Sequence, residues 1–129
     1  MDATTNILNW FEIPVKDIKR AQKFYETIFS IKMTDMGVMM GMQMVNFPSK
    51  MGNGKLSGAL VKSKFHKPSA TTGCLNYLNA NPSIQKVIGK IEKAGGTLIM
   101  QKSLISKEVG YMAMFIDTEG NRMALHAQK

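Results

Sequence analysis

A chain of 129 residues, 44% of them hydrophobic, has the length of one ordinary domain and can bury a core without disulfide or metal support. The single cysteine, Cys74, excludes an internal disulfide and suits a reducing compartment, and no apolar run approaches the ~18 residues of a membrane span, so a cytoplasmic protein without a leader is expected. The formal net charge of +8 invites a nucleic-acid reading, but the lysines are scattered from Lys16 to Lys129 with no stripe interleaved with aromatics, which points to a solvated basic surface and to neither nucleic acid nor membrane as partner.

Residues 8–14 alternate and carry Trp, Phe and Ile, so they read as a strand. Asp17 is a good helix N-cap, since its carboxylate can accept an orphan backbone N–H. Ile18, Ala21, Phe24, Tyr25, Ile28 and Phe29 then recur with helical spacing. Strand signals follow at about 31–36, 42–47 and 56–61. Six of the twelve methionines crowd this stretch, from Met33 to Met44, and core filling is a more natural use for them than a flexible pocket lining. Turn residues at 48–55, including Met51-Gly52-Asn53-Gly54, separate the last two strands. A polar segment at 63–73 links to the second half.

The order then repeats. Residues 75–78 form a short apolar strand, Asn81 is the expected cap, and Pro82 sits at the first helical position, where its missing N–H costs nothing. Ile84, Val87, Ile88, Ile91 and Ala94 repeat the helical stripe, which Gly95-Gly96 ends. Strands are expected at 97–102, 109–117 and 123–127, with Thr118-Glu119-Gly120-Asn121 as a tight hairpin. The fold class predicted is α+β, two βαβββ modules at about 7–62 and 74–128, whose curved mixed sheets enclose a cleft within a single domain.

Asn9-Trp10-Phe11-Glu12-Ile13-Pro14-Val15, then Asp17 and Ala21-x-x-Phe24-Tyr25-x-x-x-Phe29, resembles the first module of the vicinal-oxygen-chelate (glyoxalase/bleomycin resistance protein/extradiol dioxygenase) superfamily. Within it the chain is most similar to a glyoxalase-related branch of unassigned activity. Asp117-Thr118-Glu119-Gly120-Asn121-Arg122 resembles the family's closing hairpin, and Ala94-Gly95-Gly96 its helix-to-strand turn. These matches span nearly the whole chain in the right order. They speak for fold and not for activity, because this fold hosts many functions.

The resemblance implies a divalent metal in the cleft of catalytic members, held by His or Glu on the first and last strand of each module. Counting back seven residues from the caps places the first-strand positions at Trp10 and Cys74. The last-strand positions fall at Ala124 and near Gly58 or Ala59. Indole offers no lone pair to a metal, alanine and glycine offer nothing, and one thiol suits hard divalent ions poorly. No cofactor is therefore expected, with a divalent metal as the alternative.

Strand alternation places Leu8 and Glu12 with Trp10 on the cleft side, and Phe11 and Ile13 under the helix. The same rule sends Asn76 and Leu78 with Cys74, Arg122 and His126 with Ala124, and Ser57 and Val61 with Ala59. The expected ligand-binding set is thus Trp10, Glu12, Ala59, Cys74, Asn76, Arg122, Ala124 and His126, with Trp10 as a stacking platform. Glu12 is a candidate general base or ligand anchor; the plainer alternative pairs it with Arg122, a lysine or backbone. His126 is a candidate ligand or acid/base group or an exposed histidine near the C-terminus, and Cys74 a reactive thiol or an inert buried one. P-loop, G-x-S-x-G, H-E-x-x-H and C-x-x-C motifs are missing.

The functional expectation is a metal-free protein that binds a small, partly apolar molecule, similar to the drug-sequestering members of the superfamily. The alternatives are a lyase, isomerase or dioxygenase using a displaced metal site or Glu12 as acid/base, and a nucleic-acid or partner-binding module using the basic surface. The resemblance further implies a homodimer.

Overall fold

The computed structural model describes residues 1–50 and 55–129. The turn expected over Met51-Gly52-Asn53-Gly54 lies outside the described residues. Element order is β1 (Trp10–Pro14), α1 (Ile18–Phe29), β2 (Thr34–Met39), β3 (Met42–Asn46), β4 (Ser57–Lys62), then β5 (Tyr77–Asn79), α2 (Ile84–Ile91), β6 (Thr97–Ser106), β7 (Gly110–Ile116) and β8 (Arg122–Ala127). These are two βαβββ modules. Each builds a four-stranded mixed sheet, ordered β1-β4-β3-β2 and β5-β8-β7-β6. No helix among the described residues is long and apolar enough to cross a membrane.

Alternation decides which face of each sheet meets its helix. In the first sheet Ile13, Leu60 and Val45 lie side by side in register and are buried under α1. In the second, Leu78, Leu125 and Ala113 do the same under α2. Helix α1 presents Ala21, Phe24, Tyr25 and Ile28 to this core, and α2 presents Ile84, Val87, Ile88 and Ile91. Burying each of the aliphatic and phenylalanine side chains larger than alanine contributes about 1.5–3 kcal/mol. Phe24 also stacks obliquely on Phe115 of β7, centroids 5.9 Å apart, which joins the two halves of the core. The turn leaving α2 passes so close to this ring that a Cβ on Gly96 would meet Phe24 at 2.8 Å.

The turn after β7 fastens module two to module one. Its buried Glu119 accepts the Lys16 and Asp17 backbone N–H groups at 2.8 and 2.7 Å and is gripped by Arg20 Nε and Nη2 at 2.7 and 3.0 Å. Burial pushes this carboxyl up, but the Arg20 bonds, the two backbone donors and Thr118 outweigh it and hold the pKa at about 2. Asp117 accepts the Tyr25 hydroxyl at 2.7 Å, and burial beside that carboxylate raises the Tyr25 pKa well above its ordinary value. Asn121 donates to Pro14 O at 2.6 Å and to Asp117 Oδ2 at 3.0 Å. The hairpin motif that carries the family resemblance is thus a structural clasp.

Three expectations need correction. Asn81 is not the cap of α2. The cap is Ser83, which makes no side-chain hydrogen bond, and Asn81 instead accepts the Gln128 N–H at 2.9 Å. The strand expected at 75–78 is Tyr77–Asn79, so Leu78 faces the core and Tyr77 and Asn79 face the cleft side. Lastly, the methionines between the first helix and β3 do not fill the core as a group. Met33 is buried, whereas Met36, Met39 and Met40 are exposed on or beside β2.

Candidate functional site

The face of each sheet turned away from its helix carries the chemistry. On β1 the side chains of Trp10 and Glu12 share that face, as alternation requires, and their pairing partners on β4 are Ser57 and Ala59. Trp10 is 40% exposed. Its indole N–H points to Glu12 Oε2 at 3.3 Å. Glu12 Oε1 meets His66 Nε2 at 2.8 Å, and His66 Nδ1 meets Ser63 Oγ at 2.7 Å.

The hydrogens of this chain can be assigned from donor counts. Ser63 Oγ already accepts the backbone N–H groups of Phe65 and His66, at 3.1 and 3.2 Å. A hydroxyl has two acceptor positions and one donor, so its own hydrogen is left for Nδ1 of His66. The ring proton then sits on Nε2 and is donated to Glu12. The order is Ser63 O–H to His66, His66 Nε2–H to one Glu12 oxygen, and Trp10 N–H to the other. The carboxylate is held from both sides.

His66 was not among the residues singled out from sequence. It lies in the linker, 54 positions from its partner, and only the local pattern Ser63-x-x-His66, whose hydroxyl can cap two following N–H groups, hints at a fixed ring. Glu12 is thereby paired, but with His66 and Trp10 and not with Arg122.

Glu12 lines a pocket of about 240 Å³ together with Lys67, Cys74, Asn76, Arg122 and backbone of the Gly73 region. Four expected site residues therefore meet there: Glu12, Cys74, Asn76 and Arg122. Cys74 is exposed and precedes β5. Arg122 is half-buried, and its backbone N–H bonds Ser69 O at 3.2 Å. Its guanidinium makes no ion pair or hydrogen bond among the described residues.

His126 stands elsewhere. It is on the same face of β8 as Arg122 but four residues along, roughly 13 Å at strand rise. Its Nε2 lies 2.6 Å from the Val109 carbonyl, which can only accept, so Nε2 carries the proton. It lines a second, more open pocket of about 530 Å³ with Tyr77, Asn79, Ile105 and Met112. Between the two pockets, Ala124 is fully covered, as is Ala59 on β4.

At the positions where the resemblance implies metal ligands the chain has Trp10, Ala59 and Ala124, and in the second module the position in register with Trp10 is Leu75, one beyond the expected Cys74, because the cap used for the count is not Asn81; this donor set does not fit a divalent ion. The described residues gather no group of three or more His, Cys, Asp or Glu side chains elsewhere.

Comparison with known proteins places this geometry. Residues 8–47 match the family described as bleomycin resistance protein-like N-terminal. Similar solved structures include the protein SA1046 from S. aureus, 20% identical with a TM-score of 0.68 over 95% of both chains. A glyoxalase/bleomycin resistance protein/dioxygenase family enzyme from Burkholderia phytofirmans is 18% identical, TM-score 0.65, over 94% of this chain and 98% of that one. The antibiotic binding protein TnmS3 from Streptomyces sp. CB03234 is 19% identical, TM-score 0.64, over 99% of this chain and 100% of that one. No curated protein sequence matches the chain.

Proposed function

We propose that this chain, whose fold is similar to that of glyoxalase/bleomycin resistance/dioxygenase proteins, is a member of the vicinal-oxygen-chelate superfamily that binds a small, partly apolar molecule in the cleft beside Trp10 and Glu12, without the divalent metal of catalytic members. One observation carries this reading: Trp10, Ala59, Leu75 and Ala124, with no lone pair to give, stand at the ligand positions, yet a pocket with Glu12, Asn76 and Arg122 on its wall remains. The exposed indole of Trp10, hydrogen-bonded to Glu12 of the pocket wall, offers a stacking surface worth about 0.5–1.5 kcal/mol beyond burial to a ligand that extends past Glu12. The antibiotic-binding neighbour has the same fold, which is compatible with sequestration as the task.

A homodimer is part of the proposal. The outer strands β2 and β6 expose Val38, Met39, Ile99 and Leu104, more apolar surface than a monomer's edges need. A second copy would cover it. The enzymatic alternative, a lyase, isomerase or dioxygenase relative, draws on the Glu12–His66 hydrogen bond, which could hold a proton acceptor in place. A reducing, cytoplasmic setting suits the single Cys74.

The test is a thermal-shift screen against small aromatic compounds, antibiotics and thiol adducts, with Ni, Zn, Fe and Mn in parallel arms. A ligand present at 100 times its Kd adds about 2.7 kcal/mol to the folded state. We expect stabilisation by an organic ligand that E12Q or W10A removes, and none by metal. Stoichiometric retention of a metal through Glu12, His66 or His126 would replace this reading with the enzymatic one.

A further inference from the structure

We infer that the ligand of the Glu12–Arg122 pocket carries an anionic group, held by the Arg122 guanidinium. This rests on the reading of that pocket as the binding site and adds the chemical class of what it takes. Two opposite charges line one pocket of about 240 Å³, so the simplest arrangement would pair them and leave the pocket neutral. The chain does not do this. The hydrogen-bond series from Ser63 through His66, closed from the other side by Trp10, occupies both oxygens of Glu12. Arg122 is left half-buried with no carboxylate, carbonyl or hydroxyl partner among the described residues.

A guanidinium brings five N–H donors in a planar fork, and removing it from water without a partner is costly. A bidentate anion is the partner its geometry suits best. Lys67 on the same wall, also without a partner among the described residues, adds a second positive charge. The half-buried Asn76 contributes an amide, and Glu12 stays able to accept one further donor from the ligand. The recognised class is a small carboxylate or phosphonate with a compact apolar or aromatic body that reaches Trp10.

The single tryptophan makes the test direct, because its indole is hydrogen-bonded to Glu12 of the pocket wall and its fluorescence responds to changes there. The probes are benzoate, benzamide and benzylamine, matched in size and differing in charge, titrated into the full chain at pH 7. Benzoate should bind about tenfold more tightly than benzamide, the gain expected of a charge-assisted bidentate contact. R122Q should erase that difference, while R122K should restore part of it. H66L should also reduce the benzoate preference although Arg122 is intact, because Glu12 is then released to pair with it. Binding of benzamide or benzylamine equal to or tighter than benzoate overturns the anion class and leaves the pocket standing. Unchanged benzoate binding in R122Q overturns the assignment to Arg122. No response to any of the three up to about 10 mM, far weaker than any useful affinity, overturns the pocket as a binding site and the proposed function with it. Far-UV circular dichroism of each variant separates loss of binding from loss of fold.

Discussion

The two modules share a backbone register. Val15 N–H donates to Val61 O at 3.0 Å in the first, and Ala80 N–H to His126 O at 2.8 Å in the second. Counting from these bonds, Ile13 corresponds to Leu78 and Leu60 to Leu125, all core residues. On the opposite face Glu12 corresponds to Tyr77, Ser57 to Arg122 and Val61 to His126, and none of these pairs shares a chemistry. The repeat is kept where the helix must be covered and has diverged on the face turned away from it.

The largest expected effects test the shared face. Leu60→Ala and Leu125→Ala should each cost about 3 kcal/mol in urea denaturation, since both side chains are fully buried at equivalent points. A cost below about 1 kcal/mol at one of them would break the equivalence.

The next effect concerns the clasp. The Glu119 pKa, about 2 when folded, lies below its ordinary value of 4.5. A depressed carboxyl pKa adds stability that is present above the unfolded value and drains away as pH falls through the folded one. The melting temperature should therefore fall as pH drops from about 4.5 toward 2, and E119Q should flatten that part of the profile while lowering stability at pH 7. A profile identical in E119Q and the parent chain would remove Glu119 from the account.

The smallest effect separates the two helix starts. Asp17 accepts the Arg20 N–H at 3.1 Å, whereas Ser83 makes no side-chain cap bond. D17A should cost about 1 kcal/mol and S83A no more than a few tenths. Equal costs would show that the second cap forms in solution after all.

What sequence reading could reach follows the same division. Alternation over Trp10–Pro14 is unambiguous because Phe11 and Ile13 are apolar on one side and Glu12 polar on the other, and that register holds in the fold. The helices were legible from their apolar stripes, which match the buried sets of α1 and α2. The stretch around β5 was not. Leu75 and Leu78 sit on opposite parities, so the pattern alone cannot say which side faces in, and Asn81-Pro82 imitates a helix start that Gln128 has already claimed. Of the candidate site, Glu12, Cys74, Asn76 and Arg122 meet in one pocket and His126 stands in another. His66 was invisible because its role depends on an acid 54 residues away. Local patterns report on the strand or helix that contains them, and a hydrogen bond across the fold leaves no such trace.

The clasp also constrains how the molecule is made. The N–H groups of Lys16 and Asp17 find their acceptor 103 and 102 positions later in the chain, and the Tyr25 hydroxyl finds its own 92 positions later. A nascent polypeptide that has left the ribosome only as far as β4 must hold these groups in water, with Phe24 lacking its Phe115 neighbour. The first module therefore completes its own helix start only once the second has been synthesised, and the two halves, although they look like independent copies, reach their final form together.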